Sequence, residues 1–302
     1  MSKVVLIGCG NVGMSYAFSL VNQKTRVSEL VLVDINKDKC EGEAMDLMHA
    51  VSFAPTKMKI YAGEYSDCQN ADIVCICAGK NQNGNETRLD LIKKNYEVFK
   101  SIISEINKTN FKGIYLIATN PLDVMTYITQ KLSGFKPSKV IGSGTILDTA
   151  RLRYLISEKL NISTKSIHGF VIGEHGDSEF IPWSNTLIGL SKANKFLSKN
   201  DMSRISYDVK NSAYDIINKK GNTSYGIGLC LAKLTNAILD DSHKIFTVSS
   251  FNKHYGIYIG QPTVLSKNGI EKVLKLNLNK DDSMKFENSA KAIIDVINDI
   301  KL

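Results

Sequence analysis

The sequence has little of what marks secreted, zinc-binding or membrane proteins. Its six cysteines are scattered over 302 residues without a CxxC pair, which predicts a reduced chain with neither a disulfide framework nor a metal site. No apolar run approaches membrane-spanning length, and the strand predicted from Val4 onward leaves no room for a signal peptide. We therefore expect a cytoplasmic protein with no membrane partner.

The sequence also lacks a segregated block of charge. Lysine and arginine total 38 against 30 acidic residues, a formal charge of +8, but the two signs are interleaved, as in residues 35–39. This distribution is typical of a solvated basic surface, so no nucleic-acid partner is expected. The five prolines form no obvious linker, and no repeat or low-complexity segment is present.

Short apolar runs alternate with helical patterns in the first half of the chain. The strand-like runs are Val4–Ile7, Leu30–Val33, Ile73–Cys77, Ile114–Ala118 and Val140–Ile141, and the longest helical pattern covers Leu89–Ile106. This alternation is typical of an α/β protein built on a doubly wound parallel sheet. We predict a first domain over residues 1–143.

The pattern changes after residue 144. Helices are predicted at Thr145–Leu160, Ser198–Lys219 and Asp282–Ile300, and short strands at His168–Gly173 and Tyr255–Leu265. A second, mixed α+β domain is therefore predicted over residues 144–302. With no linker between the two, we expect a site in the crevice where they pack together.

A glycine-rich turn follows the first predicted strand. In the pattern GxGxxG, Gly8 makes the tight turn, Gly10 lets the backbone approach a pyrophosphate, and Gly13 lets the next helix pack on the strand. The second strand ends in Asp34, whose carboxylate accepts hydrogen bonds from an adenosine ribose and repels a 2′-phosphate. Together these residues predict an NAD-binding Rossmann domain; the alternative is a βαβ unit that binds nothing.

The segment Gly173–Asp177 places a histidine between two glycines just beyond a predicted strand. An imidazole titrates near neutral pH, so His175 can donate a proton to a carbonyl oxygen and recover it from an alcohol. Asp148 is the candidate carboxylate that orients the ring and stabilises its charged form. The alternative is a structural histidine.

Asp148 and Arg151 lie three residues apart on one predicted helix and share a face. One interpretation is an ordinary intrahelical salt bridge; the other is that the Arg151 guanidinium binds a substrate carboxylate at two points. Arg153 lies off that face and is expected to serve another purpose.

Two further segments follow predicted strands. Residues 78–88 are polar and contain glycine, which is typical of a mobile lid whose Arg88 polarises a substrate carbonyl; a solvated loop arginine is the alternative. Asn120 follows the strand at residues 114–118 and can bind substrate or the nicotinamide, although asparagine also favours a turn before Pro121.

With these motifs the chain resembles the NAD-dependent lactate/malate dehydrogenase family over essentially its whole length, most closely the bacterial L-lactate type. The resemblance implies that His175 is the proton donor and acceptor, Asp148 its partner, Arg151 the carboxylate clamp and Arg88 the carbonyl polariser. It also implies NAD contacts and substrate contacts beyond these. The NAD contacts are Gly8, Gly10, Val12, Gly13, Asp34, Lys39, Tyr65, Gly79, Lys80 and Asn120, and the further substrate contacts are Asn120 and Thr223.

Gln82, in the predicted lid, helps to indicate which substrate the protein uses. Malate dehydrogenases of the resembled family carry an arginine there, six residues before the lid arginine, to pair with the second carboxylate of oxaloacetate. A neutral amide leaves that charge unmatched, so Gln82 favours pyruvate. Malate dehydrogenase, another L-2-hydroxy-acid dehydrogenase and a non-catalytic NAD-binding protein remain alternative predictions.

The resemblance also has a regulatory implication. Arg153 and His168 match positions of the fructose 1,6-bisphosphate site in allosteric bacterial lactate dehydrogenases, where cationic groups repeat across a two-fold axis. A homotetramer responsive to this effector is therefore expected. The alternative is a surface arginine and a histidine unrelated to any effector.

Overall fold

The structure, a computed structural model, describes residues 2–80 and 87–300. The side chain of Arg88 lies outside the described part. The strands there are β1 (Ser2–Ile7), β2 (Val27–Val33), β3 (Lys59–Ala62), β4 (Ile73–Ile76), β5 (Ile114–Ile117), β6 (Val140–Gly142), β7 (Ile167–His168), β8 (Leu187–Ile188), β9 (Ser191–Lys192), β10 (Lys244–Asn252), β11 (Ile257–Ser266) and β12 (Gly269–Val273). The helices there are α1 (Asn11–Val21), α2 (Lys37–Ala50), α3 (Arg88–Asn107), α4 (Leu122–Ser133), α5 (Ile146–Leu160), α6 (Lys199–Lys220), α7 (Tyr225–Leu239) and α8 (Lys280–Ile300).

One nine-stranded sheet runs through both halves of the chain, in the order β12-β11-β10-β6-β5-β4-β1-β2-β3. The strands from β6 to β3 are parallel and have the doubly wound order of a Rossmann sheet. The antiparallel strands β10, β11 and β12 extend it, joined to β6 by the pairing of Ser249 with Gly142. The predicted α/β class with a doubly wound parallel sheet is confirmed.

The apolar run of β1 explains why these residues form a central strand. Val4 and Leu6 belong to one buried cluster, and Val5 and Ile7 belong to another. Successive side chains of a strand point to opposite faces, so a sheet covered by helices on both faces selects continuous apolar sequence instead of alternation. A third cluster, around Leu152, lies under α5 and α6.

Some elements in both halves of the chain differ from the sequence-based predictions. The elements β3, β10, β12 and α7 were not among the predicted ones; α7 is buried along much of its length, which hides the amphipathic period. The strand predicted at His168–Gly173 is not continuous, because only Ile167–His168 forms a ladder strand, followed by isolated bridges at Ile172 and Gly173.

Side chains of α5 and of Thr145, the residue that caps its N-terminus, account for that interruption. The Thr149 hydroxyl accepts a hydrogen bond from the Val171 amide at 2.9 Å, and Thr145 donates to the Val171 carbonyl at 2.6 Å. Arg153 donates to the Gly169 carbonyl at 3.2 Å. Backbone groups that a neighbouring strand would otherwise satisfy are thus paired with a helix, which fixes the segment before His175 against the first turns of α5.

None of the helices in residues 2–80 and 87–300 combines the length and apolar character that a bilayer crossing requires.

Candidate active site

The three fingerprint glycines have different surroundings. Gly8 has φ +101°, and a Cβ there would lie 2.4 Å from the Ala78 amide nitrogen; a Cβ on Gly13 would lie 2.0 Å from the Gly8 carbonyl oxygen. A Cβ on Gly10 would meet nothing within 4 Å. The first and third glycines therefore permit packing, while the second, at the N-terminal cap of α1, faces open space that suits the close approach of a dinucleotide phosphate.

Asp34 lies beside this turn. One carboxylate oxygen accepts a hydrogen bond from the Cys9 amide at 2.7 Å, and the other accepts from the Asn36 amide at 2.9 Å. The Lys39 ammonium donates to the Cys9 carbonyl at 2.9 Å. The predicted cofactor residues Asp34 and Lys39 thus meet at the middle of the fingerprint.

Two more predicted cofactor residues lie near the same turn. Val12 is half-buried in the first turn of α1, and half-buried Tyr65 begins a short helical turn after β3. Burial raises the pKa of the Tyr65 hydroxyl, with smaller contributions from the charges of Cys68, Glu105 and Asp34. Asp34 itself lines a cleft of about 80 Å³ beside α2.

Asn95 joins the loops that follow β4 and β5. This fully buried asparagine of α3 accepts a hydrogen bond from the Lys80 amide at 2.8 Å and donates to the Asn120 carbonyl at 2.8 Å. A Cβ on Gly79 would lie 2.5 Å from the Thr119 methyl group, so the two loops are in contact. The predicted residues Gly79, Lys80 and Asn120 are therefore brought together by a residue that the sequence reasoning missed.

The backbone of His175 is held from three directions. The preceding Gly173 exchanges two hydrogen bonds of 2.9 Å with Gly260 of β11. The Glu174 amide donates to the Ser289 hydroxyl of α8 at 2.6 Å, and the His175 amide donates to the buried carboxylate of Asp123 of α4 at 2.8 Å. Asp123 is a second residue that the sequence reasoning missed.

The side chains of His175, Asp148 and Arg151 form one hydrogen-bonded unit. The Nδ1 atom of His175 lies 2.8 Å from Asp148 Oδ2, and an Arg151 guanidinium nitrogen donates to Asp148 Oδ1 at 2.7 Å. Side-chain exposure rises from 2% at Asp148 to 12% at Arg151 and 27% at His175. The Asp148 carboxylate is thus buried, and the two cationic side chains bonded to it are more accessible to solvent.

Arg151 satisfies both interpretations of its spacing from Asp148. The intrahelical salt bridge is present, yet burial leaves it far from an ordinary surface pair. One guanidinium nitrogen binds Asp148, while the group has five N–H donors in all. The N–H donors that do not bind Asp148 are the ones that could bond to the carboxylate of a ligand.

The charges of this unit favour a protonated histidine. Burial alone lowers the pKa of His175, but the charge and the hydrogen bond of Asp148 outweigh it and raise that pKa to about 9. Burial alone would raise the pKa of Asp148, and the positive charges of His175 and Arg151 hold it below its ordinary value. The site therefore holds a ready proton donor beside an anchored cation.

Glu179 is a third residue that the sequence reasoning missed. Its carboxyl group lies within 4.8 Å of Asp148 and of His175, and burial together with the Asp148 charge raises its pKa to about 9. The sequence offered one signal for it, a glutamate four residues after His175 at the start of the mainly apolar run 179–183.

The other predicted substrate residues are described less completely. Gln82 lies outside the described residues, and of Arg88 only the backbone, the first residue of α3, is described. Thr223 is half-buried in the segment between α6 and α7. Three residues later, a Cβ on Gly226 would lie 2.8 Å from the Leu147 side chain, which places this segment near the residue before Asp148.

Arg153 of α5 lies beside the chain segment that follows His168. The Arg153 side chain is half-buried, with its guanidinium 5.4 Å from the Phe170 ring centroid and bonded to the Gly169 carbonyl. His168, adjacent to Gly169, is exposed. Arg153 also lines a cavity of about 420 Å³ between α5, α7 and β10.

Family models match both halves of the chain. Residues 2–142 match the NAD binding domain of lactate/malate dehydrogenase, and residues 145–301 match the alpha/beta C-terminal domain of the same enzymes. The chain belongs to the lactate/malate dehydrogenase family. It is therefore related to NAD-dependent oxidoreductases over nearly its full length.

Individual members of the lactate/malate dehydrogenase family agree with this assignment. The L-lactate dehydrogenase of Geobacillus sp. (strain WCH70) is 46% identical over 308 residues, covering 99% of this chain and 96% of that protein. A lactate dehydrogenase from a Medee basin deep-sea metagenome library superposes with a TM-score of 0.97 at 45% identity, covering 100% of this chain and 99% of that one.

The minor L-lactate dehydrogenase of Enterococcus mundtii offers a comparison of two states. Its ligands-bound form matches with a TM-score of 0.97 at 37% identity, covering 100% of this chain and 99% of that chain. Its ligands-unbound form matches with a TM-score of 0.91 at 36% identity, covering 100% and 98%. The structure is therefore nearer in shape to the ligands-bound form.

Proposed function

We propose that this member of the lactate/malate dehydrogenase family catalyses the reversible NADH-dependent reduction of pyruvate to L-lactate. One observation carries the proposal: His175, raised in pKa by Asp148, lies in the same hydrogen-bonded unit as Arg151. A proton donor beside a carboxylate clamp suits a substrate in which a carbonyl adjoins a carboxylate. The L-lactate dehydrogenases among its relatives support this substrate pair.

The fingerprint turn fits NAD, because Gly10 faces open space at the N-terminus of α1 and Asp34 lies beside it. We assign the cofactor contacts to the residues predicted from sequence: Gly8, Gly10, Val12, Gly13, Asp34, Lys39, Tyr65, Gly79, Lys80 and Asn120. Bound NADH supplies the hydride for reduction of the keto carbon. The Asp34 carboxylate would repel a 2′-phosphate, which favours NAD over NADP.

His175 performs the proton transfer. In reduction, its Nε2 atom donates a proton to the carbonyl oxygen while Nδ1 stays bonded to Asp148; in oxidation, the neutral ring recovers that proton from the alcohol. Asp148 stabilises the charged ring and holds its orientation. The two directions of the reaction therefore require opposite protonation states of one residue.

The remaining substrate contacts follow from charge. Arg151 binds the pyruvate carboxylate, using guanidinium nitrogens that Asp148 leaves available. Arg88 stabilises the negative charge that develops on the carbonyl oxygen, and Asn120 and Thr223 complete the contacts with the substrate.

We assign the preference for pyruvate to Gln82. A neutral side chain leaves the second carboxylate of oxaloacetate unpaired, at a cost of several kcal/mol when water is excluded. The test is NADH oxidation with pyruvate and oxaloacetate in parallel, for the wild type and a Gln82→Arg variant. We expect the wild type to prefer pyruvate and the variant to shift towards oxaloacetate; a wild type that prefers oxaloacetate would make malate dehydrogenase the correct function.

We propose in addition a homotetramer regulated by fructose 1,6-bisphosphate at Arg153 and His168. Their proximity, with Arg153 bonded to the carbonyl of the residue after His168, supports this second proposal. The bisphosphate should lower the apparent KM for pyruvate and stabilise the tetramer. Activity assays and sedimentation with and without it, on the wild type and an Arg153→Gln variant, test the site; no response in the wild type would refute it.

A further inference from the structure

Glu179 returns to His175 through a short turn. Ile172 and Phe180 exchange two backbone hydrogen bonds of 3.0 Å, which closes residues 172–180 into a loop with His175 on one arm and Glu179 on the other. Inside the loop, the Glu179 amide donates to the Gly176 carbonyl at 3.2 Å. The backbone of this loop therefore brings the Glu179 carboxyl group to Asp148, the same buried residue to which the His175 imidazole is bonded.

Three titratable groups meet at that point. Polar atoms of Asp148, His175 and Glu179 all lie within 4.8 Å of one another. Asp148 already accepts hydrogen bonds from Arg151 on one oxygen and from His175 on the other. A second carboxylate within 4.8 Å of Asp148 would repel it unless one of the two carries a proton.

The arrangement decides which carboxyl group carries the proton. Asp148 has two cationic partners, which stabilise its ionised form. Glu179 lies within 4.8 Å of the Asp148 charge, and it is the group whose pKa is raised, to about 9. At neutral pH the proton therefore belongs to Glu179, and its O–H is the donor in the bond between the two groups.

We infer that Glu179 is a positioning residue for proton transfer: as a neutral acid it donates a hydrogen bond to Asp148 and thereby fixes the carboxylate that orients His175. Asp148 then accepts hydrogen bonds from three groups: Arg151 of α5, His175 on one arm of the loop and Glu179 on the other arm. The inference rests on the proposed function, since the assays below use pyruvate reduction.

Other charged groups around this cluster complete the electrostatic picture. Asp123 of α4 binds the His175 amide, while Lys210 of α6 and Lys285 of α8 line a cavity of about 260 Å³ together with Glu179. Lys210 donates to the Asp177 carbonyl, and Lys285 lies 3.6 Å from Asp282. The further titratable neighbours are Glu174, hydrogen-bonded to Ser178, and buried Cys230, whose pKa is raised mainly by burial and in addition by the Asp148 charge.

Two variants separate hydrogen bonding from charge. Glu179→Gln keeps an N–H donor for Asp148 but cannot ionise, whereas Glu179→Met has similar length and no donor. We expect the glutamine variant to keep kcat at pH 7 within about 3-fold, and the methionine variant to lose about 10- to 100-fold in kcat with little change in KM, the value of one hydrogen bond to a charged group. Glu158→Gln, on an exposed residue of α5, is the matched control and should match the wild type.

The pH profile distinguishes this role from a purely structural one. Glu179 loses its proton as the pH passes about 9, the range in which His175 also titrates, and its new negative charge then holds the proton on the imidazole. The alkaline limb of pyruvate reduction should therefore move to lower pH in Glu179→Gln and stay in place in Glu158→Gln. An unmoved limb in Glu179→Gln, or a fully active Glu179→Met variant, would overturn the inference.

Infrared difference spectroscopy tests the proton without relying on activity. At pH 7, wild type minus Glu179→Gln should show the carbonyl stretch of a protonated carboxylic acid, fading as pH passes about 9. Absence of this band refutes the inference even in an active enzyme. A wild type with the band but without pyruvate reduction would instead contradict the proposed function.

Discussion

Replacing Asp148 with asparagine removes the charge that makes His175 an effective acid. Asp148 contributes most to raising the His175 pKa to about 9, against the effect of burial, with smaller contributions from Glu179 and Asp123, so without the Asp148 charge the pKa should fall towards its ordinary 6.5. The fall corresponds to about 3 kcal/mol of lost stabilisation of the protonated ring, at roughly 1.4 kcal/mol per pKa unit. At pH 7.5 only about a tenth of the variant would carry the proton that reduction needs.

Two further effects add to that loss. An asparagine amide can donate to Nδ1 and select the wrong tautomer, a change that costs about 10⁴-fold in kcat in a comparable His and Asp pair. Removing Asp148 also leaves the half-buried Arg151 guanidinium without its carboxylate. We therefore expect kcat/KM for pyruvate at pH 7.5 to fall by between 10- and about 10⁴-fold.

The assay is initial-rate NADH oxidation from pH 5.5 to 10, for the wild type, Asp148→Asn and the exposed control Asp215→Asn. The alkaline limb of kcat/KM should lie near pH 9 in the wild type and the control, and near 6.5 in Asp148→Asn. Lactate oxidation, which needs the neutral ring, should show the opposite limb. An Asp148→Asn profile that coincides with the wild type would refute the role of this charge.

Four other substitutions test the cofactor and substrate sites. Arg151→Lys keeps the charge but loses the guanidinium fork, so KM for pyruvate should rise about 10-fold or more; an unchanged KM would mean that another residue holds the carboxylate. Gly8→Ala, at φ +101° and with its Cβ 2.4 Å from Ala78, should cost about 2 kcal/mol or more of stability in denaturant unfolding. Gly10→Ala should unfold like the wild type and bind NADH more weakly by fluorescence titration, because its Cβ occupies only open space; normal binding would show that the cofactor does not approach there. Asp34→Asn should lower KM for NADPH relative to NADH by removing repulsion of the 2′-phosphate, and an unaltered preference would place the discrimination elsewhere.

The parts of the site that could be predicted from sequence carry local signals. The fingerprint glycines and Asp34 have a fixed spacing around one βαβ unit, and their roles follow from backbone geometry in that unit. The pairing of Asp148 with Arg151 follows from the helical period. The pairing of His175 with Asp148, 27 residues apart, was proposed from chemistry and the family resemblance, and their atoms lie 2.8 Å apart.

The residues that support the site carried no such signal. Asn95 bonds to Lys80 and Asn120 from another helix, and Asp123 holds the His175 amide across 52 residues of sequence. An asparagine or aspartate within a helix has the same local pattern whether it faces solvent or a loop amide. The difference arises only when α3 and α4 pack against the sheet.

The sequence alone determined the doubly wound sheet and the fingerprint, because each depends on residue types at short, regular spacings, and it indicated the groups that we propose to react. Tertiary structure decided their electrostatics. Asp148 becomes a buried anion with two cationic partners only after the segment before His175 bonds to α5, and Glu179 becomes a protonated acid only where it meets that anion. A pKa depends on desolvation and on charges within a few ångströms, and those distances are fixed by contacts between segments far apart in the chain.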